Sequence, residues 1–160
     1  MYEEFKNKVY DKVIKDSNYC KIVKLGLWET NKKLYFAENT VAQSSSRVID
    51  KKEDLKSYER LITIDVTSID TFKKENNVKK VDLIKMDIEG AELPALKGGI
   101  ETIRKDRPQL VISIYHSLDD LIEIPLYLHE NLDNYIFKLG HYSHNSLESV
   151  LYAIPKELME

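Results

Sequence analysis

Two apolar strands joined through one helix constrain the fold of this chain most. Strands are predicted at residues 81–87 and 109–115, and the second is apolar at almost every position. Such strands are typical of parallel sheets that are covered by helices. The helix predicted between them, over residues 91–104, carries four apolar residues on one face: Leu93, Leu96, Ile100 and Ile103. This order predicts an α/β domain with helices on both faces of its sheet.

The remaining elements are predicted on both sides of this unit. The others are an N-terminal helix within residues 1–19, strands at 21–28, 34–37 and 61–66, helices at 69–76 and 119–132, and an antiparallel pair at 135–141 and 149–155. Breaks are expected at Gly98–Gly99 and a kink or restart at Pro125. Residues 38–60 are polar, and we expect a long loop there, either a lid or loosely ordered. A length of 160 residues predicts a single domain, 1–160.

The charge and the cysteine content exclude several classes of protein. The 24 basic and 27 acidic residues give a net charge of −3, which creates no general attraction to nucleic acid or to acidic membranes. Cys20 is the only cysteine, so an internal disulfide is excluded and a reducing compartment is favoured. No apolar run approaches the roughly 18 residues of a membrane span, and no signal peptide is recognisable. We therefore expect a cytoplasmic protein that binds neither membranes nor nucleic acid.

Carboxylates cluster where the strand 81–87 ends. Asp87, Glu89 and Glu92 lie within six residues at a strand-to-helix turn, and ligands of open α/β sheets bind at such carboxyl ends. Glu92 has two interpretations, since it also complements the positive end of the following helix. Lys85 lies on the same face of the strand as Asp87, and we expect it to contact Asp87 or else an acid on a covering helix.

His116 follows the next strand. If the two strands are neighbours, His116 and Asp87 open onto one crevice, where a histidine can act as a general base. The alternative is an ordinary capping or loop histidine. Asp87, Glu89 and His116 also suit a divalent cation, but this signal is too weak to predict a metal site. Trp28 follows a strand and belongs either to the core or to a ligand site.

Several kinds of chemistry are excluded by the sequence. The five glycines form no G-x-G, G-x-G-x-x-G or P-loop spacing, so a Gly-rich nucleotide clamp is excluded. One cysteine excludes a zinc cluster built from cysteines. A G-x-S-x-G nucleophile elbow is also missing from the sequence.

Residues 83–92 (LIKMDIEGAE), followed by Leu96-Lys97-Gly98, resemble the "IKxDVEGxE…LKG" signature of the FkbM family of S-adenosylmethionine-dependent methyltransferases. Residues 65–72 resemble the segment that precedes this signature, and residues 111–116, 120–125 and 148–153 resemble its later blocks. The resemblance covers residues 20–156 approximately.

The resemblance implies a Rossmann-like class I methyltransferase sheet, mostly parallel, with a C-terminal antiparallel hairpin. It implies S-adenosylmethionine as cofactor and methyl transfer to a hydroxyl of a small molecule, such as a sugar or a secondary metabolite. The catalytic candidates that match the family pattern are Asp87, Glu89 and His116. Trp28 and Asp87 are the expected contacts of the cofactor.

The sequence departs from the family at its beginning. Family members start with a strand, a Gly-rich loop and a second strand, and we expect these first strands to be missing from this chain. In the sheet they would lie between the strands 21–28 and 81–87. Their loss exposes two strand edges, which invite pairing with another chain. The expected partners are therefore a complementing N-terminal segment or a second copy of the chain. The alternative function is a non-catalytic remnant that self-associates, or binds a partner, through those edges.

Overall fold

The computed structural model describes residues 20–38, 47–50, 60–144 and 148–159, so the N-terminal helix predicted within residues 1–19 lies outside the described part. The strands are β1 (Gly26–Leu27), β2 (Lys32–Glu38), β3 (Arg47–Ile49), β4 (Arg60–Thr67), β5 (Leu83–Met86), β6 (Gln109–Ser113), β7 (Tyr135–His141) and β8 (Ser149–Pro155). The helices are α1 (Ile69–Glu75), α2 (Glu92–Lys97), α3 (Ile100–Asp106) and α4 (Asp120–Asn131), followed by a 3-10 turn at Lys156–Leu158.

The described strands form two mixed sheets, with the orders β1-β4-β2-β3 and β5-β6-β8-β7. Only the pairs β1–β4 and β5–β6 are parallel. The prediction of a mostly parallel sheet was therefore wrong. The physical reason lies in the connections, because a parallel pair needs a long crossover, usually a helix. Eight residues separate β2 from β3 and ten separate β3 from β4, too few for such a crossover, and β2 pairs antiparallel with both.

The helix predicted over residues 91–104 is divided into α2 and α3 at Gly98 and Gly99. Both glycines are needed for close packing. A Cβ atom at Gly98 would lie 2.3 Å from the carbonyl oxygen of Trp28, and one at Gly99 would lie 2.7 Å from Ile69 Cδ1. The break thus lets the junction of the two helices contact the end of β1 and the start of α1.

Other boundaries differ from the prediction in detail. The strand predicted at 21–28 is shortened to β1, which pairs with β4 through two residues. Within the polar stretch 38–60, β3 pairs with β2, and residues 39–46 and 51–59 lie outside the described part. The helix predicted at 119–132 is α4, which continues through Pro125.

The apolar core lies around β5 and β6 and the helices that pack against them. Leu110 and Ile112 of β6 are fully buried together with Met86 of β5, and helices α2, α3 and α4 contribute Leu96, Ile103, Ile124 and Leu128. This packing fixes the carboxyl ends of β5 and β6. None of the helices in the described ranges is long and apolar enough to cross a bilayer.

Candidate active site

The carboxyl ends of β5 and β6 place the predicted site residues side by side. The two strands are parallel, with Met86 opposite Ile112, so the chain segments that follow them leave the sheet at one edge. Asp87 comes directly after β5, and His116 follows the end of β6. The Nε2 atom of His116 lies 3.2 Å from Oδ1 of Asp87.

A tight turn between β5 and α2 brings two further carboxylates to His116. Glu89 and Gly90 both have positive φ angles, of 59° and 86°. Oε2 of Glu89 lies 3.7 Å from Nδ1 of His116, and Oε1 of Glu92 lies 3.2 Å from its Nε2. His116 thus lies among three carboxylates, which we call the acidic cluster: Asp87, Glu89 and Glu92.

Tyr115 completes the arrangement. Its hydroxyl donates a hydrogen bond of 3.0 Å to Oδ1 of Asp87, the same oxygen that contacts His116. The rings of Tyr115 and His116 lie 4.3 Å apart, centroid to centroid. The sequence predicts Tyr115 only as the last residue of the strand 109–115. Its position next to His116, beyond the end of β6, is the signal that could have found it.

Glu92 is the most buried member of the acidic cluster, with none of its surface exposed. Its Oε1 atom accepts a 2.7 Å hydrogen bond from the backbone N–H of Ile88. Its Oε2 atom has no hydrogen-bond partner among the described residues. Glu92 thus lies in the first turn of α2, as the helix-end interpretation requires, and its carboxylate also contacts His116.

Mutual charge and burial shift the pKa values in the cluster. Burial alone would lower the pKa of His116, but the hydrogen bond with Glu92 and the charges of the three carboxylates outweigh it, so the pKa is raised. Burial also raises the pKa of Glu89, and the imidazole of His116 opposes this shift only in part. The pKa of Tyr115 is raised to about 12 by burial and by its hydrogen bond to Asp87.

Lys85 and Trp28 lie differently from the other candidates. Lys85 is exposed and forms no ion pair with Asp87, so the prediction of a contact between these two residues was wrong. The physical reason is that an exposed lysine on an edge strand needs no partner, while Asp87 turns towards Tyr115 and His116. Trp28 follows β1 in the other sheet, where Nζ of Lys32 lies 5.1 Å from the centre of its ring. Its backbone N–H donates a hydrogen bond of 2.9 Å to the carbonyl oxygen of Thr67 in β4, so both of these contacts lie within that sheet.

The comparison with known families decides the identity. The sequence profile of the methyltransferase FkbM domain matches residues 5–141. This chain belongs to the FkbM methyltransferase family. The match confirms the resemblance that the D-x-E-G-x-E turn carries, and the turn holds all three carboxylates of the acidic cluster.

A solved structure supports the fold of this FkbM chain. The methyltransferase FkbM from Methylobacillus flagellatus KT is similar with a TM-score of 0.62 and 24% sequence identity. The similarity covers 94% of this chain but 31% of that one, so the chain spans about a third of that protein's length. At this identity the likeness shows the fold alone. No curated protein matches the chain.

The described residues do not fit a complete site for the S-adenosylmethionine that the family implies. Four of the five glycines serve packing, since a Cβ atom at any of them would approach a neighbouring atom within 2.9 Å: Gly26, Gly98, Gly99 and Gly140. Gly90 alone lies at an open turn, where the nearest atom to a Cβ would be 4.0 Å away. The described part of the chain therefore contains no glycine-lined cradle.

Proposed function

We propose that this chain takes part in methyl transfer from S-adenosylmethionine to a hydroxyl group of a small molecule, such as a sugar or a secondary metabolite. The observation that carries the proposal is the meeting of Asp87, Glu89 and His116 at the carboxyl ends of two adjacent parallel strands. Membership of the FkbM methyltransferase family supports the reaction class. The geometry supports the acceptor side of the reaction, where a proton must be removed.

Glu89 is the proposed proton acceptor. A hydroxyl that gains a methyl group must lose its proton to a base within hydrogen-bond reach. The side chain of Glu89 is 42% exposed, and its contact with His116, at 3.7 Å, is longer than a hydrogen bond. Its carboxylate therefore has free capacity to accept a proton from a bound acceptor.

Asp87 and His116 are proposed to position the acceptor and the base. One oxygen of Asp87 already receives the hydrogen bond of Tyr115 and contacts His116, which fixes the direction of the carboxylate. The His116 side chain is only 11% exposed, so it is less accessible than the carboxylates of Asp87 and Glu89, which are 42% exposed. This assignment differs from the general-base hypothesis for His116, because the imidazole faces carboxylates on both nitrogens.

The methyl donor is proposed to be held largely by residues outside the described part, or by a second polypeptide. This follows from the missing glycine cradle. Trp28 and Asp87 remain the proposed donor contacts within the described residues. A calorimetric titration of the purified chain with S-adenosylhomocysteine shows whether the donor-binding site lies within this chain. Micromolar binding would place it within these 160 residues, whereas the lack of heat would place it on another polypeptide.

The reaction itself is tested by transfer of a labelled methyl group from S-adenosylmethionine to a panel of sugars and other hydroxyl compounds. Where calorimetry detects no donor binding, the assay includes the complementing polypeptide. We expect transfer to at least one hydroxyl class, and a loss of roughly 100-fold or more in Glu89→Gln. Asp82→Asn is the control, because Asp82 precedes β5 and its side chain forms an exposed ion pair with Lys80. Donor binding without transfer to any hydroxyl would contradict the proposal, as would full activity in Glu89→Gln.

A second candidate function rests on the sheet edges. The outer edges of β1 and β5 have no partner strand among the described residues, and Leu83 on β5 is exposed. Unpaired edges favour pairing with another chain. The alternative proposal is thus self-association without catalysis. Light scattering separates the two, since a monomer at high concentration contradicts the alternative and leaves methyl transfer untouched.

A further inference from the structure

We propose that Asp87, Glu92 and His116 form a binding site for one divalent transition-metal ion of the Mn²⁺ or Zn²⁺ kind. The inference goes beyond the proposed methyl transfer and does not depend on it, because ion binding is measured without donor or acceptor. The site joins the end of β5, the first residue of α2 and the segment after β6. It therefore draws its ligands from the turn between β5 and α2 and from the segment after β6.

The spacing of the ligand atoms suits one ion. One side-chain atom from each of the three residues lies within 4.8 Å of the other two. Nε2 of His116 lies 3.2 Å from Oδ1 of Asp87 and 3.2 Å from Oε1 of Glu92. Adjacent ligand atoms about 2.1 Å from an octahedral ion lie roughly 3.0 Å apart. Small side-chain shifts would therefore admit an ion between them.

Hydrogen bonds alone would produce similar distances, but they leave one oxygen of Glu92 without a partner in the described part of the chain. This side chain is fully buried, and its Oε2 atom has no hydrogen-bond partner among the described residues. A buried carboxylate oxygen nearly always has a partner in a folded protein. An ionised carboxylate can only accept, so the partner must be a donor or a cation.

The charge around His116 also favours a cation. Within the described ranges, no lysine or arginine forms an ion pair with the acidic cluster, whose ion pairs all involve His116. Three carboxylates around one imidazole leave an excess of negative charge even when the imidazole is charged. Buried charges in proteins are paired or coordinate metals.

The donor set selects the class of ion. Imidazole with carboxylates suits first-row divalent transition metals, whereas Ca²⁺ takes six to eight oxygen ligands. Asp87 remains 42% exposed, which leaves the open side of the site to water or to a bound hydroxyl. Three protein ligands with open positions are typical of catalytic rather than structural metal sites.

The test is a titration of the purified full chain with Mn²⁺ alone, in which free ion is counted by electron paramagnetic resonance. We expect one ion per chain, with affinity at least 10-fold weaker in Glu92→Gln. The matched control is Glu101→Gln, since Glu101 lies in the first turn of α3 and is exposed. Binding in this control should equal that of the wild type.

Asp87→Asn keeps the test decisive where Glu92→Gln fails to fold, because Asp87 is partly exposed. It should also weaken Mn²⁺ binding at least 10-fold while circular dichroism stays unchanged. Three results would overturn the inference: no binding of Mn²⁺ or Zn²⁺ to the folded chain, wild-type affinity in Asp87→Asn, or an equal loss in Glu101→Gln. Each of these leaves the methyl-transfer proposal standing, since the radiolabel assay reports on that separately.

Discussion

Replacing Asp106 with asparagine tests how the scaffold beneath the site is held together. Asp106 ends α3, where Oδ2 accepts a hydrogen bond from Nζ of Lys73 on α1 and another, of 2.9 Å, from the backbone N–H of Val81 ahead of β5. The side chains of Asp106 and Lys73 are only 5% and 14% exposed. One carboxylate therefore joins α1 and α3 to the start of β5, the strand that Asp87 follows.

The burial of this ion pair determines how much unfolding free energy Asp106→Asn should lose. Removing one partner of a buried ion pair costs about 3–5 kcal/mol, because the other charge stays buried and unpaired. We expect about 2–3 kcal/mol for Asp106→Asn, since Lys73 can reach some solvent and asparagine can still accept the Val81 N–H. For a chain of 160 residues this lowers Tm by roughly 5–10 °C.

The same ion pair predicts a dependence on pH. Burial alone would raise the pKa of Asp106, but the hydrogen bonds from Lys73 and Val81 and the charge of Lys73 lower it below the ordinary value of 3.8. A lowered folded-state pKa means that the stabilisation is present above the ordinary value and is lost as the pH falls through the folded value. The difference between wild type and Asp106→Asn should therefore be constant from pH 7 to about 4 and shrink below it.

Urea unfolding followed by the fluorescence of Trp28, the single tryptophan, measures both effects. Asp82→Asn is the control, because Asp82 forms an exposed pair with Lys80 and should unfold like the wild type. A loss below about 0.5 kcal/mol in Asp106→Asn would refute the reasoning from burial. Equal losses in both variants, or a difference that persists undiminished in acid, would refute it as well.

Three further predictions concern the glycines and the open edge. Gly98→Ala should lower the free energy of unfolding in urea by about 3 kcal/mol or more, because the new Cβ atom would overlap backbone atoms of Trp28 and Glu29. Gly140→Ala should lower it less, because the nearest atoms there belong to the ring of Tyr142, which can move. Gly90→Ala should cost about 1–2 kcal/mol, from its φ of 86° rather than from contacts, and an unchanged stability would contradict this. Leu83→Lys should leave Tm unchanged and reduce any self-association through β5 seen by light scattering, and undiminished association would exclude that edge.

The sequence predicted best those elements whose signals are local. The apolar run at 109–115 corresponds to β6, which lies between β5 and β8, and Gly98–Gly99 marked the division between α2 and α3. The pairing of strands was harder, because it joins residues distant in sequence. Nothing in the composition of β2 shows that it pairs antiparallel with both β3 and β4.

The candidate site divides in the same way. The contact between Asp87 and His116 could be anticipated on the condition that the two strands before them are neighbours, which they are. The full burial of Glu92 could not, because a glutamate is almost never fully buried unless it is paired. Its burial depends on His116 and on the backbone N–H of Ile88, whose positions only the folded chain defines.

The turn after β5 combines a strained backbone with a buried carboxylate that is only partly paired. Glu89, which is not a glycine, has a φ angle of 59°, and the φ angle of Gly90 after it is 86°. A left-handed conformation costs a non-glycine residue of order 1 kcal/mol or more, and such costs persist only where surrounding contacts impose them. Here the turn places two carboxylates against His116, an arrangement that leaves one Glu92 oxygen without a partner in the described structure. Both features lower the stability of the chain, and we propose that a bound ligand offsets this cost.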